Sequence, residues 1–119
     1  MSITINNTSG MEFSVSGNAP IYNSNYNRAV MVIAYILDPI SDVYSSVRGS
    51  TEVARTTTDG NGAYLFTRTW LPGDYVLKYF GTETNAKTDS KYWEYFAIPQ
   101  KGLYDVNAPQ NSKIYKINY

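Results

Sequence analysis

The stretch from Thr56 to Leu77 constrains this chain more than any other. It runs Thr56-Thr57-Thr58-Asp59-Gly60-Asn61-Gly62-Ala63-Tyr64-Leu65-Phe66 and closes with Leu71-Pro72-Gly73-Asp74-Tyr75-Val76-Leu77. Apolar and polar residues alternating with period two suit a strand buried on one face, while Gly, Asn and Pro-Gly supply the backbone of turns. The pattern predicts a strand over 52–58, a hairpin loop at 59–62, a strand over 63–69, a turn at 71–74 and a strand over 75–80. Glycine and asparagine accept positive φ at little cost, which is the reason for placing a hairpin between the first two strands.

The rest of the chain reads in the same way, as short strands separated by turn chemistry and without a helix. Over 11–16, Met11, Phe13 and Val15 alternate with Glu12, Ser14 and Ser16, as in a half-buried strand. Residues 17–27, with Pro20 and four Asn, read as a loop. The continuous apolar run 29–37 is rich in β-branched residues. It predicts a central strand, covered on both faces or covered on one of them by a partner chain. Val30, Val32, Ile33 and Ile36 argue against a buried helix there, as does Pro39 just beyond. Residues 38–50 and 81–90 are polar excursions. Residues 91–98 form an aromatic strand through Tyr92, Trp93, Tyr95 and Phe96. Residues 1–10 are expected to be an N-terminal arm, and 111–119 a terminal strand docked on a sheet edge or continuing into a partner. About seven strands at this spacing indicate one all-β domain over 1–119, an antiparallel Ig-like β-sandwich.

Within this pattern, Thr58-Asp59-Gly60-Asn61-Gly62-Ala63-Tyr64-Leu65-Phe66 followed by Trp70-Leu71-Pro72-Gly73-Asp74-Tyr75-Val76-Leu77 resembles the carboxypeptidase regulatory-like domain, a transthyretin-like (prealbumin-like) seven-stranded sandwich. The upstream half fits more loosely, and the loops at 17–28 and 38–50 are longer than the family's. The matched residues set turns and core, so the resemblance implies a fold and says little about activity. Three chemistries known among relatives are tested by residue type. Hydroxyisourate hydrolases use histidines, and this chain has none. The adhesin isopeptide places its lysine on an early strand, whereas the first lysine here is Lys78. Calcium-binding repeats cluster carboxylates, whereas Asp59 and Asn61 would bring two oxygens to a cation that takes six or more. Asp59 and Asn61 are therefore read as turn residues.

Composition narrows function further. Ten basic residues balance ten acidic ones, at a pI near 6.2. That balance gives no support for broad nucleic-acid binding, and weak self-repulsion lets copies associate. Without His or Cys, the commonest general base, the commonest soft metal ligand and the thiol nucleophile are missing. The ten acids are scattered, and no glycine loop precedes a helix. The expectation is no enzyme, no catalytic residue, no cofactor and no metal. The longest apolar run is far shorter than a membrane span, and no secretory signal opens the sequence. A chain complete as written is expected to be made in a cytoplasm and to stay soluble.

Twelve of the 119 residues are Tyr. Tyrosine serves the margins of a thin sandwich, and it is also enriched at interfaces. The candidate partner or glycan contacts are Tyr22, Tyr26, Tyr44, Trp70, Tyr92 and Trp93, with packing in or beside the core as the other reading of each Trp. A sandwich of a commonly exported class that lacks an export signal fits a particle assembled inside its host and released by lysis. The expected function is thus a structural protein of a virion: a capsid decoration, neck, tail or baseplate component of a tailed bacteriophage. Its partners would be other virion proteins or copies of itself, with no nucleic acid bound and no membrane inserted. The alternative is a carbohydrate-binding or adhesion module of an extracellular cell-surface protein. An intracellular scaffold is a third reading that no residue specifically favours.

Overall fold

A computed structural model describes residues 3–19, 29–38, 49–81, 86–99 and 117–118. Among these, eight strands succeed one another: β1 (Thr4–Ser9), β2 (Glu12–Asn18), β3 (Ala29–Leu37), β4 (Ser50–Thr57), β5 (Ala63–Thr69), β6 (Gly73–Gly81), β7 (Trp93–Ile98) and β8 (Ile117–Asn118), with a single 3₁₀ turn at Ser90–Tyr92 leading into β7. They form two four-stranded sheets, ordered β5-β2-β1-β8 and β4-β3-β6-β7. Every pairing is antiparallel except that of β1 with β8, which is parallel. One core joins the sheets, with Ile5, Phe13, Val15, Tyr64 and Phe66 from the first meeting Val32, Ala34, Tyr75, Leu77, Tyr79, Phe96 and Ile98 from the second. The architecture is all-β and sandwich-like.

The period-two pattern translates directly into this packing. In β2, Phe13 and Val15 are fully buried while Glu12 between the turn and Phe13 is exposed. In β6, Tyr75, Leu77 and Tyr79 point into the shared core. The apolar run in β3 becomes an interior strand between β4 and β6. Its Val32 and Ala34 face the core, and Ile33 is buried on the opposite face.

Several expectations are corrected. The Asp59–Gly62 segment is not a hairpin, because β4 and β5 lie in different sheets and the segment carries the chain from one to the other. Its chemistry explains why it looks like one. The Asp59 carboxylate Oδ1 accepts the N–H groups of Asn61 (2.8 Å) and Ala63 (2.9 Å). The backbone closes through Asp59 N to Ala63 O and Gly62 N to Asp59 O, each at 3.0 Å. That is a satisfied local turn, but its ends diverge toward two layers. Gly62 sits at φ +85°, its carbonyl accepts from Ala19 N at 2.7 Å, and a Cβ there would lie 3.0 Å from Ala19 O.

Residues 4–9 are strand β1, not an arm, and Ile3 and Ile5 are core residues. The polar run Asn6-Asn7-Thr8-Ser9 hides this strand. Asn7, within β1, braces the turn into β2, with its Nδ2 donating to the carbonyls of Gly10 (2.9 Å) and Glu12 (3.0 Å). β2 continues to Asn18, two residues further than its alternation, and Lys91 and Tyr92 form the 3₁₀ turn instead of opening β7. Of the terminal strand, residues 117–118 pair with β1, and 111–116 and 119 lie outside the described residues.

Candidate functional site

Trp70 is not a contact for any partner. It is completely buried where β5 crosses to β6. Its backbone N–H donates to Met11 O (3.0 Å), and its indole Nε1 donates to Phe13 O (3.1 Å). These bonds carry the β2–β5 pairing one step past β5 and fasten the start of the crossover to β2. The rings of Phe66, Tyr75 and Phe96 meet the indole edge-on at 5.9, 5.1 and 5.5 Å, a favoured aromatic geometry. Tyr92 is likewise a packing residue, only 5% exposed, with the Lys91 ammonium 5.1 Å from its ring centre. Tyr22, Tyr26 and Tyr44 lie outside the described residues.

Among the described members of the sequence-derived set, Trp93 stands on an accessible surface. It lies on the outer face of the β4-β3-β6-β7 sheet, where register brings together two rows of side chains. One row is Arg55, Ile33, Lys78 and Trp93; the next is Glu52, Tyr35, Val76 and Tyr95. The Lys78 ammonium lies between two rings, 4.6 Å from the centre of Tyr35 and 4.2 Å from that of Trp93. Ring faces carry negative potential and attract a cation. Burial acts in the opposite sense and pushes the Lys78 amine below its ordinary value. Tyr95 packs edge-on to Trp93 at 6.5 Å and is 49% exposed. Trp93 is held from behind by its indole N–H, which donates to the Ala86 carbonyl. Beneath the polar tips, Ile33 and Val76 are buried although they point away from the core.

The polar rim of this face depends on an irregularity. Glu52 and Arg55 are three residues apart, a spacing that puts side chains on opposite faces of a regular strand. Between the pairs Ala34–Ala54 and Tyr35–Glu52 the register shifts, leaving Val53 as an extra residue. This bulge returns Glu52 to the face of Arg55. The two then form a bidentate pair, Nε to Oε2 at 2.8 Å and Nη2 to Oε1 at 2.6 Å. The Arg55 guanidinium holds the Glu52 carboxyl below its usual range. The Tyr35 phenol is pushed up, first by burial and then by the charge of Glu52.

A second polar cluster lies between the layers. Tyr79 OH donates to Glu94 Oε1 (2.8 Å), so the 3.1 Å contact between Tyr64 and Tyr79 has Tyr64 as donor. Burial raises Tyr64 to about 12 and raises both Tyr79 and the Glu94 carboxyl above their ordinary values. This chain of hydroxyls ties β5 of one sheet to β6 and β7 of the other.

Sequence reasoning missed Tyr35, Lys78 and Tyr95 on the outer face. Their signal was present: they occupy alternate positions to the core residues of β3, β6 and β7. Strands with aromatic or apolar residues on both parities are themselves a sign of two apolar surfaces. Comparison with protein-family models, curated proteins and solved structures gives no match.

Proposed function

We propose that this chain is a non-enzymatic structural module that acts by protein–protein assembly, and that the outer face of the β4-β3-β6-β7 sheet is its docking surface. The observation that carries this reading is the patch of Tyr95, Trp93 and Tyr35 around Lys78, with Tyr95 half exposed. Interface centres are enriched in aromatic residues set in a polar rim, and Glu52 with Arg55 provides such a rim. The biological setting we assign is a virion, as a decoration, neck, tail or baseplate component of a tailed phage. Twelve Tyr among 119 residues and a formal net charge of zero, both of which favour association of copies, support that setting.

The fold assigned is the transthyretin-like, carboxypeptidase regulatory-like form of the Ig-like sandwich. Its support is the pair of crossings between layers at the two motif turns, together with Tyr75 at the start of β6, whose hydroxyl donates back to Leu71 O. That bond resembles the tyrosine corner of Greek-key sandwiches.

Glycan binding is the weaker reading. Stacking a sugar needs an open ring face, and one face of Trp93 is already occupied by the Lys78 ammonium. The deciding experiment is quantitative mass spectrometry of particles purified from cells expressing wild type or Tyr95→Glu. Copy number should fall at least several-fold in the variant while its melting temperature stays put. Unchanged incorporation, or absence of the wild type from particles, sinks the assembly reading. Retention on a sugar array that is lost in Trp93→Ala would favour the alternative.

A further inference from the structure

The edges of the two sheets are not equally defended. β4 carries the Val53 bulge and the Glu52–Arg55 pair. Bulges and ion pairs discourage a foreign strand. Among the described edges, β5 and β7 have no bulge, and β5 is the longer, at seven residues against six. Its seven residues keep unbroken register with β2 from Ala63–Asn18 to Thr69–Glu12. It contains no Pro, Gly or Lys, and its one charge, Arg68, is folded over the buried Trp70 ring at 5.1 Å. Among the described residues, no strand pairs with the other side of β5. Its outward side chains are Ala63, Leu65, Thr67 and Thr69, opposite Asn18, Ser16, Ser14 and Glu12. Leu65 is 58% exposed, a large apolar group alone among Ser, Thr and Asn.

We propose that β5 pairs antiparallel with β5 of a second copy of this chain, about a two-fold axis passing at Leu65. An antiparallel strand pair is self-complementary under a two-fold axis, so no separate partner surface is needed. The axis runs perpendicular to the sheet and keeps each side chain on its own face. Centred on Leu65, it sets Leu65 against Leu65 on the outer face and Tyr64 beside Phe66 on the inner one. Ala63 then meets Thr67, and no charge opposes a like charge. Centring on Phe66 instead leaves Leu65 opposite Thr67, an apolar group against a hydroxyl. The product is one continuous sheet, β8-β1-β2-β5-β5-β2-β1-β8, with both aromatic faces still open. The inference is independent of what docks on those faces.

The test uses the full chain, which contains no cysteine of its own. Leu65→Cys places two thiols directly opposite across the axis, where cross-strand Cβ atoms lie about 4.5–5.5 Å apart. It should cross-link to a dimer under mild oxidation far faster than Thr69→Cys, which the register leaves without an opposing thiol. Sedimentation velocity across a concentration series should show wild-type dimer, weakened about tenfold or more in Leu65→Lys by lost burial and like-charge opposition. Circular dichroism should show Leu65→Lys folded, since the side chain is exposed. A wild type monomeric at the highest concentration, cross-linking through Thr69→Cys as readily as Leu65→Cys, or association undiminished in a folded Leu65→Lys would each overturn the proposal. Loss of association in Tyr95→Glu but not in Leu65→Lys would do the same, assigning self-contact to the aromatic face.

Discussion

The two four-stranded sheets present opposite chemistry on their outer faces. On the β5-β2-β1-β8 sheet the outer positions include Thr4, Asn6, Ser14, Ser16, Asn18, Thr67, Thr69 and Asn118, with Glu12, Ala63 and Leu65 the exceptions. Small hydroxyl and amide groups hydrogen-bond to water or to each other, as Asn118 Nδ2 does to Asn6 Oδ1 at 2.9 Å. On the β4-β3-β6-β7 sheet the outer positions include Met31, Ile33, Tyr35, Val76, Lys78, Trp93 and Tyr95, with Glu52 and Arg55 at the rim. A solvated sheet face needs only the first kind. The second kind removes apolar area from water without an opposing layer among the described residues, by laying long amphipathic side chains across Ile33 and Val76. One sheet is half-buried; the other is covered by its own side chains.

The largest effect should come from testing whether that outer cover is a packed layer. Ile33→Ala should cost about 2–5 kcal/mol in urea unfolding, as a core truncation does, whereas Thr67→Ala on the other sheet should stay within about 0.5 kcal/mol. Equal losses would mean that the two faces differ in composition but not in packing.

How far this contrast was legible in sequence depends on the segment. The alternation of β2 and β5 was readable because one parity is mostly apolar and the other mostly polar; β5 lies where the pattern puts it, β2 runs two residues beyond it, and β6 opens at Gly73, inside the expected turn. β3 was readable as interior because both parities are apolar. β1 was not, since only Ile3 and Ile5 mark its buried side and the neighbouring Asn and Thr residues look like solvent-facing arm. The Asp59–Gly62 turn was legible as a turn and misleading as a hairpin. Local hydrogen bonds to Asp59 are the same whether the chain returns to its own sheet or crosses to the other. That choice is made by long-range pairing of β5 with β2 and of β4 with β3. The aromatic face was the least legible part of the site. It is assembled from four strands, and its rim requires a bulge at Val53 that no residue type announces.

A middle-sized effect concerns the seam between the sheets. Burial raises the folded-state pKa of Glu94, so the folded chain holds this proton more tightly than the unfolded chain does. The stability due to protonation is fully present below the ordinary value of 4.5 and is lost as pH rises through the raised one. Glu94→Gln retains an acceptor for Tyr79 OH and cannot ionise. Its stability profile should be flatter across that window, and at neutral pH it should match or exceed wild type, within about 1 kcal/mol for one hydrogen bond in a partly wet site. A variant with the wild-type pH slope would assign the slope to other groups.

The smallest effect tests the Lys78 sandwich. Lys78→Met keeps an unbranched apolar stem over Ile33 and removes the charge from between Tyr35 and Trp93. Two opposed terms then cancel in part. The rings lose a cation worth about 0.5–1 kcal/mol at an exposed site, while the cost of holding an amine partly out of water disappears. The net change in stability should therefore be below about 1 kcal/mol, and stability alone cannot discriminate. The indole can. Trp70 is sealed in the core, so Trp93 is the indole that collisional quenchers reach and whose emission responds to a charge above its ring. Lys78→Met should shift that emission and leave the quenching fraction nearly unchanged, because methionine still covers the ring. Lys78→Ala should raise the quenching as well. If neither variant alters Trp93 emission, the ammonium does not rest on the ring, and one face of Trp93 becomes open to a sugar. That would weaken the argument for protein docking over glycan stacking at the point where it is strongest.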